Sequence, residues 1–461
     1  MPGSVALLVW FVLLLVLLRW SKDRKNSPAL WLPVTWLLII SSRTPSQWLG
    51  LTPTSAATAF EDGSALDRAI FLTLAFVAFW VLTSRQINWT ELFGRNAALM
   101  LLIVFALASV AWSDFPYVTF KRWIRDLGTY VMVLVVVSDP RPVVAISTVI
   151  RRFSYILLGV SLLLIKYYPQ MGVLYNSWSG APEYLGATTS KNMLGVLCLI
   201  GGMYFFWDTL GRWHERKAPE VKRVLFANVL FLGITLRLLM LSDSATSKVC
   251  LVMGCLLITM LRLRWVKAHP RIVTAAIPLT LAGYAFMEFV FDLSTMVAQL
   301  LGRDPTLTGR TDIWDVILKV QTNPLFGVGY QTFWMGDRLT QVWSRLNVGF
   351  LNEAHNGYIE TYLNLGIVGV MLLLMFMFSG YRTVCRLLNA SPHYASFAVA
   401  FWMVSVFYNF TESAFGASLL WSVLLLCVVV VPGPSEMLSR TTQRFVKNGT
   451  VLNRYANRTA N

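Results

Sequence analysis

Apolar runs recur along the whole chain and are separated by short polar stretches. They fall near residues 4–19, 29–41, 68–83, 96–112, 124–138, 147–165, 190–207, 223–241, 247–261, 273–291, 357–379, 395–410 and 416–432, and are rich in Leu, Val, Phe, Met and Trp. None shows the ~10-residue alternation of a membrane β-barrel strand, so the runs read as closed helices that satisfy their own backbone groups. The pattern predicts an all-α, polytopic integral membrane protein of about 12–13 transmembrane helices. Several runs are shorter than the ~20 residues of a full span, which sets the range of that count. The first run resembles a signal-peptide core but lacks a basic n-region and a small-residue cleavage site, so it reads as a retained span.

Composition agrees. Of 461 residues, 56% are hydrophobic and only 13% charged, with mean hydropathy +0.59, outside the range of a water-soluble domain of this size. The net charge of +16 is unevenly spread: nearly two thirds of the 39 Lys and Arg lie in segments 19–25, 83–95, 138–152, 208–223, 262–271, 380–394 and 440–461. Basic loops stay in the cytoplasm, which puts these segments and the C-terminus inside and the longest hydrophilic insertion, 292–356, outside. The positive charge is then topological and argues against a nucleic-acid partner. Cys198, Cys250, Cys255, Cys385 and Cys427 lie in or beside spans without paired spacing, which points to neither a disulfide framework nor a metal site. The expected organisation is one membrane domain, 1–439, with the insertion inside it, followed by a basic, disordered cytoplasmic tail, 440–461. No internal repeat is visible. Asn448 and Asn457 stand in N-x-[ST] triplets that carry no meaning on the cytoplasmic side.

In the insertion, "PTLTGRTDIWDVILKVQTNPLFGVGY" has a helix-start signal at Thr308 or Thr311 and a stop at Asn323-Pro324. Ile313, Val316, Ile317 and Val320 share one face, so a short amphipathic helix is predicted. Gly327 and Gly329 then suit positive φ or a close backbone approach. In "NEAHNGYIETYLNLGIVG", Asn352 reads as an N-cap, with Glu353, His355 and Asn356 in the first turn of a helix entering the membrane.

Each polar candidate has two readings. His355 is either an interfacial residue satisfying helix-end groups or a general base, since a neutral imidazole with pKa near ~6.5 takes and sheds a proton at ambient pH. Arg310 is either a solvated charge beside Asp304 or Asp312, or a bidentate phosphate grip. Lys191 opens a span from the outer side and either snorkels or helps to hold an anion. Arg237 lies within a span, where a cation costs about 2.5–3.5 kcal/mol, so it is expected to face a partner or a polar cavity; Lys248 begins the next span. "WSDFPYVTFKRWIRDLG" places Asp114, Lys121, Arg122 and Arg125 around an outer loop, where basic residues should be scarce. Arg338 adds a further cation within the insertion.

The segments "WSDFPYVTFKRWIRDLG", "TSKNMLG", "LSDSATS", "LTGRTDIWDVILKVQTNPLFGVGYQTFW" and "EAHNGYIETYLNLGIVG" together resemble the bacterial O-antigen ligase and polymerase superfamily, most closely its ExoQ-like exopolysaccharide-polymerase branch. The last two are specific and the first three supportive. The resemblance implies a GT-C-type membrane glycosyltransferase of the bacterial inner membrane, with its site facing the periplasm. It would move a glycan from an undecaprenyl-pyrophosphate carrier to an acceptor hydroxyl, without metal or other cofactor, and it would have other polysaccharide export machinery as a partner. The acceptor would be a growing glycan or, in a ligase, lipid A core. The family's essential arginine and histidine match Arg310 and His355. Its basic residue in the short turn falls at Ala245 here, and Arg237, Lys248 and Lys191 are the nearby cations to replace it. Arg310 would stabilise the departing pyrophosphate and His355 would deprotonate the acceptor, with Glu353 or Glu360 orienting its ring. One base with direct displacement predicts inversion at the anomeric carbon. The competing class is a polytopic lipid or polysaccharide flippase, which would need charged residues at mid-membrane depth in several spans and, typically, a repeat.

Overall fold

The computed structural model describes residues 2–20, 27–51, 64–175, 180–291, 310–346 and 351–431. The predicted tail, the two N-x-[ST] triplets and the first part of the insertion lie outside the described residues. Numbering the described helices of seven residues or more in chain order gives α1 Gly3–Trp20, α2 Trp31–Ile40, α3 Ala65–Thr83, α4 Trp89–Arg95, α5 Ala97–Ala108, α6 Pro116–Val137, α7 Pro142–Tyr167 and α8 Lys191–Arg212. They continue with α9 Pro219–Ser242, α10 Ala245–Met260, α11 Pro270–Phe291, α12 Arg310–Ile317, α13 Gly336–Leu346, α14 Gly357–Ala390, α15 Pro392–Thr411 and α16 Leu419–Val428. Between α7 and α8 one antiparallel hairpin pairs β1, Val173–Tyr175, with β2, Pro182–Tyr184.

Every predicted span falls on one of these helices. Seven, namely α1, α3, α7, α8, α9, α14 and α15, are long and apolar enough to cross a membrane, and α4 with α5, bent by 89°, gives an eighth if the pair is counted as one broken span. The residues 28–40, α10 and α16 form shorter apolar helices. The protein is a polytopic, all-α membrane protein. Its core runs through α7, α8, α15 and α16, where Phe153, Phe205, Phe397, Phe401 and Leu425 are fully buried. A charged network sits in it, towards one end: Asp208 of α8 accepts from Arg212 Nε at 2.9 Å and Asn228 Nδ2 at 2.8 Å and stands 3.4 Å from Arg151.

The connections segregate to two ends of the bundle. At one, Trp112 Nε1 donates to Phe326 O, Arg338 pairs with Asp114, and Thr246 meets Thr411; this is the insertion end. At the other, Asn96 Nδ2 donates to Val430 O, Arg85 to Ser138 Oγ, and Arg262 meets His393. The alternation of ends matches the predicted order of the spans.

The insertion has its own small core. Ile317 and Val320 are buried there with Val328, Phe333, Trp334, Val342 and Ala354, and Ile313 and Val316 pack against them, so the predicted amphipathic face of α12 is the one that is used. Residues 323–329 then thread into a break in α14. Gly366 has φ +65° and ψ −168°, and across the gap Ile367 N–H donates to Pro324 O at 2.9 Å and Gly329 N–H to Asn364 O at 2.9 Å. The two backbones touch: a Cβ on Gly366 would stand 2.2 Å from Leu325 O, and one on Gly327 2.4 Å from the Asn364 carbonyl. The loop satisfies groups that the break would otherwise leave unpaired in an apolar setting. Here the glycines of "NPLFGVGY" serve close backbone approach, as expected.

Candidate active site

His355 stands one residue before the cap of α14. The N-cap is Asn356, not Asn352: the Asn356 side chain accepts from Tyr358 N–H at 3.0 Å and Ile359 N–H at 3.1 Å, and its Nδ2 donates to Phe410 O at 3.1 Å. Glu353 and His355 therefore sit in a loop, not in a first helical turn. His355 has φ +48°, a left-handed conformation that costs a non-glycine residue free energy unless its surroundings hold it there.

Its Nδ1 lies 3.1 Å from Glu353 Oε1 and 3.5 Å from Glu412 Oε2. Glu412, buried at the C-terminal end of α15, is the hub of the site. Its Oε1 accepts from Arg310 Nη2 at 2.8 Å, and Asn192 Nδ2 lies 3.3 and 3.2 Å from its two oxygens. Four elements thus converge: α12 brings Arg310, α8 brings Asn192, α15 brings Glu412, and the loop before α14 brings His355 and Glu353. Burial pushes the Glu353 carboxyl up to about 7, helped by repulsion from Glu412 and Glu360 and opposed by the fields of His355 and Arg310. Burial alone would lower the His355 pKa; the hydrogen bond to Glu412 and the charges of Glu353 and Glu412 outweigh it and raise it. With both carboxylates on the Nδ1 side, the neutral ring favours the tautomer with its proton on Nδ1, which leaves the lone pair on Nε2.

The other predicted residues are placed as follows. Glu360 makes no direct hydrogen bond to His355. It is committed to Ala354 N–H at 2.9 Å, Trp334 Nε1 at 2.9 Å and Asn364 Nδ2 at 2.9 Å. Lys191 turns to Glu183 at 3.0 Å while its neighbour Asn192 reaches the site. Lys248 pairs with Asp243 at 2.8 Å, across the short turn that holds Ala245. Arg237 is exposed on α9, with no ion pair among the described residues, so the expected partner or polar cavity is not found; near the helix end a long side chain can reach the membrane surface instead. Arg122 and Arg125 of α6 fasten the insertion: Arg122 donates to Gln331 O and Arg125 to Gln331 Oε1 at 3.0 Å. Arg338 binds Asp114.

Glu412 and Asn192 are the residues that sequence reasoning missed. A signal existed for the first: Glu412 is the only acidic residue between positions 361 and 431. Glu353, His355 and Glu412 offer ligand atoms within 4.8 Å of one another, close enough for one divalent ion, but the Arg310 guanidinium already supplies a positive charge to Glu412.

Residues 229–374, which include Arg310 and His355, match the family described as O-Antigen ligase. The chain is also similar to the exopolysaccharide production protein ExoQ of Rhizobium meliloti (strain 1021), with 26% identity over 326 residues, covering 67% of this chain and 70% of that protein. These matches agree with the resemblance carried by the motifs: the chain is similar to proteins of O-antigen ligation and of exopolysaccharide production.

Proposed function

We propose that the protein is a polysaccharide polymerase that transfers a glycan from an undecaprenyl-pyrophosphate carrier to the hydroxyl of a growing exopolysaccharide or O-antigen-type chain. The reaction would run at the insertion end, on the periplasmic side of the bacterial inner membrane. The observation that carries this reading is the joint hold on Glu412, 2.8 Å from Arg310 and 3.5 Å from His355, at a helix mouth of the bundle. Similarity to a protein of exopolysaccharide production favours polymerisation over ligation to lipid A core.

In the proposed step His355 Nε2 takes the acceptor proton while the acceptor oxygen attacks the anomeric carbon. The bond from that carbon to the pyrophosphate oxygen breaks, and its electron pair leaves with the phosphate. Glu412 and Glu353 hold the Nδ1 proton and stabilise the imidazolium that forms. The donor phosphate competes with Glu412 for Arg310, whose planar fork suits phosphate oxygens and stabilises the charge that grows as the bond breaks. Direct displacement from the opposite face inverts the anomeric carbon.

A flippase would use charges inside the bundle. The Arg151–Asp208–Arg212–Asn228 network is internally paired and lies towards the end away from the insertion, which favours a structural role for it.

The test is purified enzyme given lipid-linked repeat units alone. Ladders of longer lipid-linked chains are expected, insensitive to chelators, and lost by about 10²- to 10⁴-fold in His355→Ala. Arg310→Lys is expected to be severely impaired, because a compact ammonium cannot make the bidentate grip. Product that forms only when lipid A core is added would make the protein a ligase. Carrier flux in liposomes without transfer would make it a flippase, and loss of activity on chelation would assign the Glu353–His355–Glu412 cluster to a metal.

A further inference from the structure

Trp314 lies one helical turn after Arg310 on α12, so the two side chains leave the same face of one short helix. Arg310 reaches Glu412, while Trp314 Nε1 donates to the carbonyl of Ala354 at 2.8 Å, in the peptide group immediately before His355. Ala354 is fully buried, and both of its backbone polar groups are held by side chains, since its N–H donates to Glu360 Oε2 at 2.9 Å. The residue that follows is the one forced to φ +48°.

We propose that Trp314 is a positioning residue. Through its single N–H, α12 acts as a bracket that fixes the separation of the Arg310 guanidinium and the His355 ring. The inference rests on the roles proposed above for those two residues. A second indole, Trp343 Nε1, donates to Leu351 O at 2.7 Å and holds the same loop further upstream, away from the peptide group that sets the His355 conformation. Among the described residues, four titratable groups face His355 from the elements around it: Glu353 on its own loop, Glu412 at the end of α15, Arg310 on α12 and, more distantly, Glu360 on α14. The imidazole keeps its raised pKa only while the bracket holds it beside the two nearer carboxylates.

Trp314→Phe removes the N–H and keeps an aromatic ring in the small core. Turnover is expected to fall on the order of 10- to 100-fold, the scale of a displacement of about an ångström, with the KM for lipid-linked donor nearly unchanged. The rising limb of the pH–rate profile should move down towards that of an ordinary imidazole. Trp343→Phe should leave the limb in place, and Trp314→Phe combined with His355→Ala should be no slower than His355→Ala alone. If Trp314→Phe fails to accumulate, benzothienylalanine at position 314, which replaces the N–H by sulfur within the same outline, makes the same test. A folded variant with wild-type turnover and an unmoved limb overturns the bracket. If His355→Ala itself keeps turnover, the base assignment fails instead; if His355→Ala is dead and Trp314→Phe is normal, only the bracket fails.

Discussion

A single carboxylate, Glu412, serves a cation and an imidazole at once, and the two demands pull against each other. Its hydrogen bond and charge raise the His355 pKa, and a base must be neutral to work, so activity should climb only as pH passes that raised value. Glu412→Gln removes the charge and keeps the size. The rising limb should therefore shift to lower pH while maximal turnover falls by about 10²-fold, because the ring loses basicity and orientation together. A pH–rate profile whose limb stays in place in that variant would show that Glu412 does not face His355 in the working enzyme. Glu353 complicates the limb without reversing its direction. With its carboxyl pushed up to about 7, it holds a proton through the same range, so the pair titrates jointly and both groups lose protons as pH rises. Stability follows the same sign: both groups bind protons more tightly folded than unfolded, so the Glu353 contribution is lost as pH climbs from the ordinary carboxylate range through about 7, and the His355 contribution as pH climbs from the ordinary imidazole range through its raised value. Arg310 and His355 were legible because each sits in a specific motif. Glu412 was not, because its partners lie 102 and 57 residues away and only the folded bundle brings them together.

At the scale of elements, hydropathy located the spans because apolar length is a local property, whereas their interruptions are set by tertiary contact. "LNLGIVG" reads as uninterrupted helix, yet the chain breaks at Gly366 to admit the 323–329 loop. The cap of α14 is likewise chosen by tertiary contact. Asn352 and Asn356 are equal candidates by residue type, and the choice falls to Asn356 through its bond to Phe410 O and through Glu360, which draws Ala354 N–H out of any helical pattern. The splice makes a measurable prediction. Gly366→Ala asks for a side chain at φ +65° and 2.2 Å from a carbonyl oxygen, so the detergent-solubilised protein should lose about 1–3 kcal/mol or more and melt earlier. An alanine at Gly233, where nothing lies within 4 Å of the added carbon, is the matched control. Equal melting of the two variants would mean that the loop does not occupy the break.

Across the whole molecule, the site draws on α8, α12, α14 and α15, whose functional ends all lie at the insertion end of the bundle. The membrane orientation therefore decides which compartment the reaction meets. The sequence orients the bundle through Lys and Arg alone, and the fold adds that the basic loops among the described residues, 83–95, 138–152, 208–223, 262–271 and 380–394, gather at the end away from Arg310 and His355. Turning the molecule over would place that basic end outside and the insertion, with its amphipathic α12 and α13, in the cytoplasm, against the bias that governs insertion. Asp337 at the start of α13 and Glu215 between α8 and α9 are both exposed and stand at opposite ends, so they report on the two faces independently. In spheroplasts, Asp337→Cys should react with an impermeant thiol reagent well above the unsubstituted protein, whose five native cysteines are buried or half-buried. Glu215→Cys should react only after permeabilisation. The reverse pattern would put the site in the cytoplasm, where a glycan on an outer-leaflet carrier could not reach His355. The geometry of Arg310, Glu412 and His355 would then stand, but the proposed donor and acceptor would both have to be abandoned.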